Sequence, residues 1–312
     1  MAITLRQMQY FVALAEAGSF GSAAAQVFVT QPALSQQIKE LERDLGAVLV
    51  ERLPRGVRLT QAGKEALGRM RTILADVQDL ASVVTKQDDL SGELRLGVIP
   101  TVAPYLLPPV LSALRASETP LQLRIREAQT GKLLQDLENG HLDAVIAVAP
   151  GGPSSLSVIP LFSDGFLLAG AASDLADVSQ GPEALRPTKL DPDRLLLLDE
   201  GHCLADQALD VCDLTRGQTR VDLGASSLST LCGLVARGFG LTFLPEIAVN
   251  TETQAQPDLA LRRFAAPQPE RTLALLRRGT APVEGRFEAL ADLFRQAGHD
   301  LLEQAKKAPL HP

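Results

Sequence analysis

The spacing of apolar residues changes once along the chain, at Asp88-Asp89-Leu90-Ser91-Gly92, and that switch constrains the layout more than any other feature. Before it, apolar positions recur every three or four residues, the period of helices with one buried face. After it, alternation such as Glu93-Leu94-Arg95-Leu96-Gly97-Val98-Ile99 marks strands, with helix-like segments between them. A chain with both patterns folds as an all-α part followed by an α/β part, and 312 residues suit two or three domains.

In the first part, Leu5, Met8, Phe11, Val12 and Ala15 define a helix that Gly18 stops. Ser19 caps a second helix, in which Ala23-Ala24-Ala25 allows a close crossing. Thr30 caps a third, with Pro32 in its first turn, running through Leu34, Ile38, Leu41 and Leu45 to Gly46. Two helices joined by a short turn form a helix-turn-helix, whose second helix enters the major groove. Leu49–Leu59 around Pro54-Arg55-Gly56 predicts a hairpin wing. Thr60 then caps a long helix from about 61 to 87 with an apolar stripe: Leu67, Met70, Ile73, Leu74, Val77, Leu80, Ala81 and Val84. A stripe of that length needs burial, and a partner chain supplies it most simply.

In the second part, Leu121–Glu127, Ala144–Val148, Phe166–Gly170, Leu195–Leu198 and Leu241–Leu244 are expected as strands. Lys132–Glu138 and Ser227–Arg237 are expected as helices. This order predicts α/β units with largely parallel sheets, and sites at the strand ends in the cleft between two subdomains.

Composition narrows the function classes. With 46% hydrophobic and 21% charged residues the chain can bury several cores. No apolar run approaches the ~20 residues that cross a bilayer, and no secretory signal pattern opens the sequence, so the expectation is a soluble, cytoplasmic protein. The net charge of −7 argues against nucleic acid only superficially: residues 1–90 carry ten cations and ten anions, and Arg52, Arg55 and Arg58 cluster within seven residues. Aromatics amount to 4% with no Trp, which speaks against a base-stacking surface for single strands. Histidines 141, 202, 299 and 311 lack zinc spacing, Gly238-Phe239-Gly240 is no phosphate loop, and neither metal nor cofactor is expected.

The runs Leu5-Arg6-Gln7-Met8-Gln9-Tyr10-Phe11, Ser19-Phe20, Ala23-Ala24, Thr30-Gln31-Pro32-Ala33-Leu34-Ser35-Gln36-Gln37-Ile38, Leu41-Glu42, Leu45-Gly46, Arg52 and Leu59-Thr60-Gln61-Ala62-Gly63 resemble the signature of LysR-type transcriptional regulators. One departure is Val50, where many members carry Phe, a change in packing and not in groove contacts. The resemblance implies that Thr30, Gln31, Pro32, Ser35 and Gln36 face promoter DNA at the start of the recognition helix. Gln suits adenine edges and Ser suits phosphate, while Arg52, Arg55 and Arg58 would hold backbone phosphates.

The segment Gly201-His202-Cys203-Leu204-Ala205-Asp206-Gln207-Ala208, with a second cysteine at Cys212, resembles the redox segment of the peroxide-sensing OxyR branch of that family. So do 97–108, Glu127-Ala128-Gln129-Thr130, Ser226-Ser227-Leu228 and Glu270-Arg271-Thr272. Three cysteines make no disulfide scaffold, so a pair in a reducing compartment points to catalysis or sensing. Cys203, after an apolar run, is expected at a helix start, where the helix end and a nearby cation favour the thiolate that attacks peroxide. Arg271 is the candidate cation, or else forms an ordinary ion pair with Glu270 or another acid, with His202 as a second stabiliser. Thr101 and Thr130 are expected to cap the following helices, which is compatible with offering hydroxyls to the peroxide oxygens, and Asp206 acts through a water or caps the helix. The implied product is a sulfenic acid on Cys203 that Cys212 condenses into a disulfide. If the segment is helical, nine residues hold the two about 13 Å apart, whereas a disulfide needs Cα atoms within about 7 Å, so oxidation must refold Leu204–Val211. Cys232, in the run Leu228–Val235, is expected to be a buried apolar residue.

The resemblance further implies a winged helix-turn-helix (1–60), a linker and dimerisation helix (61–90) and a periplasmic-binding-protein-like regulatory domain (91–312). That domain would comprise subdomain I (about 91–165 and 267–312) and subdomain II (about 166–266). The implied partners are double-stranded promoter DNA, hydrogen peroxide, three further copies in a homotetramer (a dimer of dimers), RNA polymerase and a glutaredoxin- or thioredoxin-type reductant. The implied role is a regulator, mostly an activator, of the oxidative-stress response. Two alternatives stay open: a LysR-type regulator whose cleft binds a small metabolite, and a thiol peroxidase, which would have no use for the first ninety residues.

Overall fold

The computed structural model describes residues 3–54, 56–85, 90, 92–117, 119–151, 156–178, 185–215, 225–279 and 285–310. The chain splits into two compact units, one of residues 1–87 with Asp136–His141 and one of residues 88–135 with 142–312.

The first unit begins with α1 (Leu5–Ala17), α2 (Phe20–Gln26) and α3 (Gln31–Leu45). Each helix starts where a side chain satisfies a free N–H. Ser19 accepts from Ser22 at 3.2 Å and Thr30 from Ala33 at 3.4 Å. At α1 the cap is a reciprocal pair that the spacing did not reveal: Thr4 accepts from Gln7 N–H at 3.2 Å, and the buried Gln7 side chain accepts from Thr4 N–H at 2.9 Å. Gly46 ends α3 in the left-handed conformation. The wing is β1 (Val50–Leu53) against β2 (Gly56–Leu59), antiparallel. Glu42 of α3 anchors it by accepting from Leu49 and Val50 N–H at 2.8 and 3.1 Å.

Thr60 caps α4 (Gln61–Thr85) through Gly63 N–H and donates to the Val48 carbonyl. Gly63 must be glycine, because any Cβ would sit on the Leu49 carbonyl. Phe11, Leu14, Phe20, Ala23, Leu34, Ile38, Leu41, Leu49 and Met70 close the core, and Val50 is part of it. Of the expected stripe on α4, Met70 is buried there, while Ile73 and Val77 stay exposed in the single chain.

The second unit is built on β3 (Gly92–Val98), β4 (Leu121–Glu127), β5 (Ala144–Val148), β6 (Leu156–Gly170), β7 (Leu241–Pro245), β8 (Ala260–Arg263) and β9 (Glu270–Arg278). Its helices are α5 (Ala103–Ala116), α6 (Thr130–Glu138), α7 (Ala172–Asp177), α8 (Cys203–Cys212), α9 (Leu228–Ala236), α10 (Val249–Ala255) and α11 (Arg286–Ala305). The expectation of largely parallel sheets needs correcting. β3 pairs β4 and β5 in parallel, but β5–β9, β6–β9, β6–β7 and β6–β8 are all antiparallel. The apolar runs gave the strands but carried no information on their direction, which depends on where the chain returns. Leu195–Leu198 is likewise no full strand, only two isolated bridges, Leu195 to Leu241 and Leu198 to Ala225.

The 15-residue β6 serves two sheets: Leu156–Gly165 pairs β9, and Phe166–Gly170 pairs β7 and β8. Asp164 and Arg271 are register partners at that crossover. No described helix is long and apolar enough to cross a membrane.

Candidate functional site

Three loops converge beyond the C-terminal ends of β3 and β4. Ile99-Pro100-Thr101 leaves β3, Gln129-Thr130 follows β4, and Gly201-His202-Cys203 leads into α8; together they line a recess of about 160 Å³. The ends of parallel strands are where α/β sheets leave loops free to build a site. Asp199 N–H donates to Ala225 O at 3.0 Å, and Gly201, at φ +88°, turns the chain into α8.

Gln129, one residue of the motif Glu127-Ala128-Gln129-Thr130, braces this turn. Its Nε2 donates to Glu200 O at 2.9 Å, and its side chain lies so close to Gly201 that a Cβ there would stand 2.5 Å from Oε1. Gly201→Ala therefore meets both an unfavourable φ and a displaced Gln129. It is expected to destabilise the reduced protein by about 2 kcal/mol, read from the urea midpoint at unchanged slope.

Cys203 is the first residue of α8, half-buried and free, where the helix presents unpaired N–H groups. His202, buried, occupies the N-cap position. Thr130 opens α6, yet its hydroxyl is buried in the recess wall with no hydrogen-bond partner among the described residues, so it does not cap α6. Thr101 also caps nothing: its Oγ accepts from Arg271 Nη1 at 2.9 Å and its carbonyl from Nη2 at 3.2 Å.

The structure brings Thr101, Thr130, His202 and Cys203 together but leaves Arg271 and Asp206 off the recess wall. Arg271, fully buried, is committed to Asp164 at 2.9 Å, because the β6–β9 register sets the two opposite each other; it reaches the recess through Thr101. Asp164 also accepts from Ile247 N–H at 3.1 Å. Burial pushes its carboxyl above the ordinary carboxylate range, against the pull of Arg271 and of that N–H. Asp206 is exposed on the first turn of α8.

Cys212 is the last residue of the same helix. Nine residues of helix separate it from Cys203 by about 13 Å, beyond disulfide reach. Burial pushes its thiol up to about 12, and both cysteines are free. Cys232 is wholly buried on α9, as expected of an apolar residue.

On the first unit, Thr30, Gln31, Pro32 and Gln36 are exposed at the start of α3. Ser35 accepts from Arg52 Nη2 at 2.7 Å, and the Arg52 guanidinium lies 4.5 Å from the Phe20 ring centroid. The helix and the wing thus present Ser35 and Arg52 as one unit. Arg58 pairs with Glu51 at 2.7 Å across the hairpin. Both partners are exposed, and such pairs contribute about 0–1 kcal/mol, so a phosphate can displace Glu51 readily. Arg55 lies outside the described residues.

Comparison with known proteins covers both parts of the chain. Residues 5–64 match the bacterial regulatory helix-turn-helix protein, lysR family, and residues 87–298 match the LysR substrate binding domain. The chain is 40% identical to the HTH-type transcriptional regulator EstR of Acinetobacter baylyi, over 94% of this chain and 96% of that protein. It is 38% identical to the DNA-binding transcriptional dual regulator OxyR of Escherichia coli, over 94% and 95%. Among solved structures, a full-length mutant OxyR from Pseudomonas aeruginosa superposes with a TM-score of 0.75 at 34% identity, covering 94% of this chain and 98% of that one. A hydrogen-peroxide-bound mutant OxyR of Corynebacterium glutamicum gives 0.61 at 34% identity, covering 98% and 97%.

Proposed function

We propose, for a chain that belongs to the LysR family of bacterial helix-turn-helix transcriptional regulators, that its stimulus is hydrogen peroxide and that Cys203 receives it. The observation carrying this reading is the recess that a half-buried thiol at a helix start lines together with a buried Thr130 hydroxyl unpaired among the described residues, beside His202 and Thr101. The relatives named OxyR and the peroxide-bound structure support it.

In the proposed chemistry the Cys203 thiolate attacks one peroxide oxygen. The O–O bond breaks, water leaves after taking up a proton, and sulfur becomes a sulfenic acid. Thr130 and Thr101 orient the oxygens, His202 supports the charged sulfur, and Arg271 fixes Thr101. Condensation with the Cys212 thiol then forms the disulfide and releases a second water. That step requires α8 to open, since its two sulfurs start at opposite ends. The apolar residues Leu204, Leu209 and Val211 are relocated, changing the surface presented to other copies in a tetramer on promoter DNA. Arginine contacts to phosphate hold the complex, RNA polymerase reads the change, and a cellular thiol reductant of the glutaredoxin or thioredoxin type resets it.

Mass spectrometry after stoichiometric peroxide, run beside promoter footprints, tests the reading. A Cys203–Cys212 linkage that appears together with altered protection supports it; intact thiols under peroxide would reject it.

The opening of α8 has a tunable end. Asp213, its C-cap, sits at φ 56° in the left-handed region, which glycine adopts without cost. Asp213→Gly is expected to stabilise the helical form by about 1 kcal/mol and so slow disulfide formation about fivefold at equal sulfenic acid yield. Stopped-flow quenching with thiol alkylation measures both steps.

A further inference from the structure

The turn between α2 and α3 holds a side chain that the fold has no use for. Phe28 is 95% exposed, the highest value among the exposed large apolar residues described. Its φ of 56° lies in the left-handed region, which costs a residue bearing a Cβ and suits Gly or Asn. The backbone there is set by its neighbours, with Val27 N–H donating to Ala23 O at 3.1 Å and Val29 N–H to Ala24 O at 3.0 Å. The ring therefore adds neither packing nor a cap, while it pays both strain and hydration. Phe28 stands two residues before Thr30, at the N-terminal end of the recognition helix, the end that meets base edges in helix-turn-helix proteins. Exposed Gln31 and Gln36, and the Ser35–Arg52 pair, follow it within the next turns of the chain.

We infer that Phe28 is a DNA-contact residue whose ring covers an apolar edge of the duplex, a thymine methyl or a deoxyribose, at the rim of the major groove. The inference rests on the DNA-binding role of the first unit and is independent of the peroxide chemistry. A flat ring without charge suits such an edge, and phosphate contacts are left to the arginines.

The test uses the full-length reduced chain and a duplex that wild-type protein selects from a random-sequence pool, at fixed salt. Phe28→Asn is expected to raise the melting temperature by about 2 °C through relief of strain, yet to weaken binding about tenfold. Phe28→Trp, which keeps the ring, is expected to hold wild-type affinity, and the salt slope should not change in either variant. Replacing thymines by uracils in the duplex separates the sources: a matching loss with wild-type protein assigns the methyl, and no loss assigns the sugar. Affinity within twofold of wild type in Phe28→Asn overturns the inference. A change in oligomeric mass on sedimentation does so too, since the ring would then serve an interface between copies. Failure of wild-type protein to select any duplex would instead remove the DNA-binding role on which the inference stands.

Discussion

Cys203→Ser is expected to abolish the peroxide response outright: no change in promoter footprint, no sulfenic acid and no intramolecular disulfide at stoichiometric peroxide. The size of the loss follows from the state of the other thiols. Cys212 is pushed up to about 12 by burial, so at pH 7 very little of it is thiolate, the form that attacks. Cys232 is wholly buried, and both burial and the Glu252 carboxylate push its thiol up. Neither can substitute at a useful rate. Cys212→Ser separates the two steps: sulfenic acid should still form on Cys203, trapped by a dimedone-type reagent, and no disulfide should follow. An unchanged footprint response in Cys203→Ser would reject the assignment of the sensor while leaving the family membership intact.

Arg271→Met is the substitution expected to cost most in stability. It leaves Asp164 without its cation at a fully buried position, and breaking a buried pair from one side costs about 3–5 kcal/mol. Against the 5–15 kcal/mol that natural domains possess, that is a large share. The loss should depend on pH. Asp164 already has its carboxyl raised in the folded state, and removing Arg271 takes away the strongest attraction opposing that rise. A folded-state value above the unfolded one means that the native protein binds the proton more tightly. Stability from this group is therefore full below the ordinary carboxylate value of about 4 and drains as pH rises through the folded value. Urea unfolding of Arg271→Met should accordingly show a deficit at pH 8 larger than at pH 5. Arg271→Met combined with Asp164→Leu should recover part of the loss, because no charge is then left buried. A single-variant cost under about 1 kcal/mol, or a deficit independent of pH, would show that the pair carries little.

The pair also bears on the site. Arg271 holds Thr101 by two hydrogen bonds, and Asp164 holds Ile247, so one side-chain cluster ties the end of β3 to the strand crossover. A variant that unlocks it should shift the recess wall as well as the melting temperature.

What could be read from residue order alone was whatever is decided within a turn or two of chain. Ser19, Thr30 and Thr60 mark helix starts because a cap bonds an N–H two or three residues away, and Gly46 marks an end by its own φ. The recognition helix, the wing, the place of Cys203 at a helix start and the separation of Cys203 from Cys212 along one helix all follow from such local rules. Strand direction does not, because an apolar run fits parallel and antiparallel neighbours alike; only the path of the chain set β9 antiparallel between β5 and β6. The same path placed Asp164 against Arg271, 107 residues away, and Gln129 against Glu200, 71 away. The resemblance offered Arg271 as a candidate cation for Cys203, but its pairing with Asp164 and its hold on Thr101 were decided by long-range pairing that no local periodicity encodes.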